Sequence, residues 1–159
     1  MHIRLREIAE DYAAKIKEYH DNEDTPDPAR YVELIAEAHL RAFGDASQIE
    51  VFGDQILVMS FVQPERTAGG IIITDKAHDE ARFQGKAGLV IAMGPQAFED
   101  DAALRFGGQR VAINDWVLTR PSDGLEIGKV CDDGRSAVSC RLFRDVNIRA
   151  RLSDPRLVW

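Results

Sequence analysis

The 159-residue sequence predicts a mainly β fold, a small barrel or sandwich preceded by an α-helical hairpin. Three observations carry that expectation. Residues 3–20 and 27–43 each repeat apolar side chains at intervals of three and four, the period of a helix with one buried face. Beyond Gly44 the pattern changes to short apolar runs punctuated by Gly, Asp and Pro, as in an all-β domain. Neither a βαβ rhythm nor a repeat of about 20–50 residues is present.

In the first helix Leu5, Ile8, Tyr12, Ile16 and Tyr19 form the apolar stripe, and Arg6, Glu7, Glu10, Asp11, Lys15 and Lys17 form the solvated faces. Asp21-Asn22-Glu23-Asp24-Thr25-Pro26 breaks it. Asp27 caps the second helix, with Pro28 at its first position, where the missing N–H has no cost. Tyr31, Leu34, Ile35, Ala38 and Phe43 give that helix an apolar face, and Gly44 stops it. A hairpin of residues 1–44 is too small to hold a core alone, so it must pack on the remainder, residues 45–159.

Strands are expected at 49–62, 86–93, 110–119, 125–131, 136–143 and 145–152. Residues 125–131 and 136–143 read as a hairpin turning at Asp133-Gly134. That turn sets Cys131 opposite Ser136 and Cys140 opposite Ile127. The cysteines are then out of register, which favours two reduced thiols over a disulfide.

With 20 basic and 27 acidic residues the formal charge is −7, which argues against a nucleic-acid partner. No apolar run approaches the roughly 18 residues needed to span a bilayer, so no membrane role is expected. Met1 to Glu7 lacks the apolar region of a signal peptide, and a cytoplasmic location follows as an expectation.

The chemistry-bearing residues do not assemble into an active site. His2, His20, His39 and His78 are scattered without metal-ligand spacing, and His39 reads as a packing or surface residue of the second helix. Glu99-Asp100-Asp101 lacks the alternating oxygen ligands of a calcium loop. Cys140 beside Arg141 has no neighbouring histidine to act as base. Gly69-Gly70 and Gly107-Gly108 are not followed by a phosphate-cradling helix. No catalytic residue, metal or cofactor is assigned, and no enzyme is expected. Arg141, Arg144, Arg149, Arg151 and Arg156 form the one basic concentration; at strand spacing they divide between two faces, where ion pairs between subunits account for them as well as nucleic acid would.

Thr67-Ala-Gly-Gly-Ile-Ile-Ile-Thr74 stands apart, with two glycines before three β-branched apolar residues, and polar sequence on both sides. On its own residues it reads either as a short core strand entered through a Gly-Gly turn or as an apolar tip that docks into another protein's groove.

From about Gly53 onward the chain resembles the chaperonin-10 family, the GroES co-chaperonins. Gly53-Asp54-Gln55-Ile56-Leu57-Val58 is similar to the family's first barrel strand, and Thr67–Thr74 to its mobile loop. Gly85 to Gly94 resembles its Gly-Lys-Val-Val-x-Val-Gly strand, and Val111 to Val117 its Val-x-Val-Gly-Asp-x-Val turn. Arg141 to Leu152 resembles its terminal strand. The resemblance extends over roughly two thirds of the chain. Asn114 replaces the family's turn glycine, and asparagine is the non-glycine residue that best tolerates positive φ.

The resemblance implies a GroES-like small β-barrel with a mobile-type loop at 63–84 and a roof-type loop at 95–108. It implies a ring of copies that docks on chaperonin apical domains through Gly69, Gly70, Ile71, Ile72 and Ile73. Three features depart from a plain co-chaperonin. They are the hairpin of residues 1–44, the tail from Asp154 to Trp159, and Arg120–Gly124 with Cys140–Leu142, which are similar to variants encoded by tailed bacteriophages. For such a variant the implied location is the host cytoplasm or the virion. Two roles follow: a co-chaperonin assisting protein folding or capsid assembly, or a virion component contacting capsid or neck proteins. In either, Arg149, Arg151 and Trp159 are the expected contacts with a neighbouring copy or subunit. A dehydrogenase barrel is a distant third, since the chain supplies neither a dinucleotide-binding half nor zinc ligands.

Overall fold

The structure is a computed structural model in which residues 2–64, 86–99 and 105–158 are described. A two-residue strand β1 (His2–Ile3) leads into helices α1 (Arg6–Asn22) and α2 (Pro28–Phe43). The strands β2 (Gln55–Ser60), β3 (Ala87–Met93), β4 (Trp116–Thr119), β5 (Leu125–Val130), β6 (Ser136–Arg144) and β7 (Ile148–Leu152) follow. Among the described residues they form one sheet in the order β1-β6-β2-β3-β4-β7, with β5 on the other edge of β6. All pairings are antiparallel except β1 with β6.

The helices form where the apolar stripes place them. Asp27 accepts from Ala29 N–H at the start of α2, Pro28 occupies the first position, and Gly44 closes the end with φ 85° and its N–H on Leu40 O. Ile8 and Tyr12 of α1 and Leu34, Ile35, Ala38 and Phe43 of α2 are buried. At the loop end of the hairpin Tyr19 and Tyr31 meet edge to face at 5.7 Å, and farther from the loop Arg41 forks onto Asp11 from helix to helix.

The strands read as continuous apolar runs because the sheet is covered on both faces. On one face Leu57, Met59, Leu89, Ile91, Trp116, Val138 and Cys140 share a cluster with Ile8, Tyr12, Ile35 and Phe43 of the helices. On the other, Ile56, Val58, Val90, Val117 and Phe143 close on Ala97 and Val111. The hairpin thus covers one face of the sheet, which answers the sequence's demand that it pack on something.

Several boundaries differ from expectation. The 110–119 run is a strand only at Trp116–Thr119, because Asn114 turns left-handed at φ 75° and the Asp115 carboxylate accepts from Ala112 N–H. The 49–62 run begins its strand at Gln55, after a 3-10 turn at Ala46–Gln48. Residues 145–147 form another such turn, so the last strand starts at Ile148. Strand β1 has no counterpart in the sequence reading. Its Ile3 pairs with Ala137, which Val130 of β5 flanks on the other side, so β1 extends the edge of β6 that β2 leaves after Met59.

The β5–β6 register is as the sequence places it: Ile127 lies opposite Cys140, and Cys131 N–H donates to Ser136 O at 2.8 Å. Both cysteines are buried and unbridged. Burial pushes the Cys140 thiol up to about 12.

Candidate functional site

The segment implied to dock, 63–84, leaves from the end of β2 and returns at the start of β3, two neighbouring antiparallel strands. Gly69, Gly70, Ile71, Ile72 and Ile73 lie outside the described residues, as does Trp159. The base of the segment is described on both sides. Ser60 pairs with Gly88, and Phe61 N–H donates to Ala87 O at 3.0 Å, so the strands stay zipped to the point of departure. On the return side Lys86 O accepts from Thr119 N–H of β4 at 2.8 Å.

On the departing side the helices take over from the sheet. Val62 N–H donates to His39 Nε2 at 3.0 Å, and the Tyr12 hydroxyl donates to Val62 O at 2.9 Å. Because Nε2 accepts, the neutral ring carries its proton on Nδ1, which donates to Ile35 O at 2.8 Å. The ring is stacked with Tyr12 at 6.0 Å and Phe61 at 5.7 Å, and meets Trp116 edge-on at 5.2 Å. Burial lowers the His39 pKa to about 4, and the Ile35 carbonyl and Asp11 offset only part of that. Of the two readings the sequence left for His39, packing holds and surface does not: it is fully buried with both nitrogens bonded. Burial also raises the Tyr12 phenol well above its ordinary range, so its hydroxyl stays a donor.

Two further contacts hold the hairpin to the sheet. Lys129 of β5, 8% exposed, donates to Phe43 O at 2.6 Å and lies over the Phe43 ring, placing a cation at the α2 C-terminus. Arg4 donates to Asp133 and Ser136 at the β5–β6 turn. The Asp133 carboxylate, which also accepts from Arg135 and Ser136 N–H, is held far below the usual carboxylate range. No periodicity in the sequence marks these contacts, since each joins residues far apart along the chain.

The 95–108 segment is described on both sides of residues 100–104. Phe98 adopts φ 60° and donates its N–H to the buried Asp145 carboxylate at 3.1 Å, and its ring meets Phe106 at 4.9 Å. Gly94 is required before it, because a Cβ there would lie 2.1 Å from Gly53 O.

Arg149 and Arg151 stand on β7, whose outer edge has no strand partner among the described residues. Each already has an acid in its own chain: Arg149 lies 3.6 Å from Asp123, and Arg151 lies 3.8 Å from Asp115 while donating to Arg110 O. Their side chains remain 47% and 62% exposed, which leaves room for a neighbour. No helix among the described residues is long and apolar enough to cross a membrane.

The family model of the chaperonin 10 kDa subunit matches residues 48–141, more than half of the chain, from just before β2 into β6. The matched range contains the whole 63–84 segment and its β2–β3 base, and it begins after both helices. Members of this family are co-chaperonins and in general not enzymes. The chain therefore belongs to the chaperonin 10 kDa subunit family, as a GroES-like co-chaperonin carrying two added N-terminal helices.

Proposed function

We propose that this protein caps a chaperonin by docking the apolar triplet Ile71–Ile73, behind Gly69 and Gly70, into grooves of the chaperonin's apical domains. The observation that carries the reading is the placement of residues 63–84 between two zipped strands inside the matched family range. A short triplet binds weakly by itself. A ring of copies presents several at once, and their linkage raises the overall affinity without any new contact. Ring closure needs a heterologous contact, one surface of a copy against a different surface of the next. The edge of β7 that has no strand partner among the described residues, with Arg149 and Arg151, is the surface proposed for it, with Trp159 following it in sequence.

Ile72→Asp tests the docking. A carboxylate in an apolar groove is desolvated without a partner, so chaperonin binding is expected to fall at least about a hundredfold while native mass shows the oligomer unchanged. Binding equal to the parent's contradicts the reading. A second reading, a bacteriophage head or neck component on the same fold, draws on the added hairpin. It requires the protein at stoichiometric amounts in purified virions, which mass spectrometry decides.

A further inference from the structure

We propose that the helical hairpin positions the docking segment, with Tyr12 and His39 as the positioning residues; this rests on the docking reading above. Val62 is 5% exposed and directly precedes the 63–84 segment. Pairing of β2 with β6 ends at Met59, and bonding to β3 reaches only Phe61. At Val62 both main-chain polar groups pass instead to side chains, the N–H to His39 of α2 and the carbonyl to Tyr12 of α1. A buried peptide group needs partners, and here each helix supplies one.

The hold is stiff. The His39 proton on Nδ1 is committed to Ile35 O, so the ring cannot rotate about its long axis without losing both bonds. Tyr12, Phe61 and Trp116 confine it further. The entry of the segment is therefore set by the helices, while its exit at Lys86 is set by Thr119 of β4. Both helices lie upstream of the matched family range, so this control of the entry is an addition of this chain. Anchoring one end before docking reduces the conformational freedom that docking removes, and so strengthens it.

The test compares the parent, Tyr12→Phe and His39→Phe in two assays: tryptic cleavage after Arg66, and binding to a purified GroEL-type chaperonin. Tyr12→Phe removes one hydroxyl, and His39→Phe keeps a ring but no acceptor. Each is expected to speed cleavage and weaken chaperonin binding by about three- to tenfold, the effect of one lost buried hydrogen bond, with helical circular dichroism retained. His39→Gln, which restores an acceptor for Val62 N–H, is expected to return both values toward the parent's. Unchanged cleavage in Tyr12→Phe and His39→Phe overturns the hold on Val62. Faster cleavage with unchanged binding overturns its role in docking, because a contact that only stabilises the fold would leave affinity alone. If His39→Phe fails to fold, Tyr12→Phe decides. Failure of the docking reading is seen separately, as parent-like binding by Ile72→Asp; the cleavage rates still report whether Val62 is held.

Discussion

Burial forces His39 to stay neutral, and neutrality makes it an acceptor. Its pKa falls from 6.5 to about 4 because the charged ring would be desolvated and would lose the bond from Val62 N–H. Between those values the unfolded chain binds a proton that the folded chain refuses, so stability rises with pH across this window. The contribution is complete above about pH 6.5, is lost as pH falls toward 4, and amounts to roughly 3 kcal/mol. Urea unfolding of the parent and of His39→Phe isolates it from other titrating groups. The stability gap between the two proteins is expected to narrow by about that amount between pH 7 and pH 4. A gap independent of pH contradicts the buried neutral histidine. Asn114 shows the opposite case, a residue legible from sequence alone: the need for positive φ in a glycine's place leaves asparagine as the best substitute, and φ is 75°.

The helices were legible because each buries one face only, which leaves a stripe of period three and four. Strands β2 and β3 were legible as apolar runs, but the runs could not say that two different layers cover them. Leu57 and Met59 point to the helices while Ile56 and Val58 point to the inner core, and all four look alike in sequence. Strand β1 was invisible, since two residues show no period. The docking of the hairpin was equally hidden: His39 and Val62 are 23 positions apart and Phe43 and Lys129 are 86 apart, so no local pattern joins them. Removing the hairpin should expose Leu57, Met59, Leu89, Ile91, Trp116 and Val138 as one apolar face. A chain of residues 45–159 is therefore expected to bind a hydrophobic dye strongly and to aggregate, as read by fluorescence and light scattering. A monodisperse chain with a cooperative transition and no dye binding contradicts the packing described.

At the scale of the molecule, the family assignment and the structure meet at strands β2 and β3. The matched range 48–141 includes strands β2 and β3, between which residues 63–84 run in sequence, and the helices outside that range pack on one face of the same sheet. The proposed docking role of the triplet rests on its surroundings in the sequence, because three isoleucines alone serve as well for a core strand. Benzoylphenylalanine at position 72 tests this central claim most directly, by irradiating the oligomer mixed with a GroEL-type chaperonin and weighing the products. The expected product joins one copy of this chain to one chaperonin subunit through the apical domain. Products linking only copies of this chain to one another, at the same chaperonin concentration, would contradict the docking role.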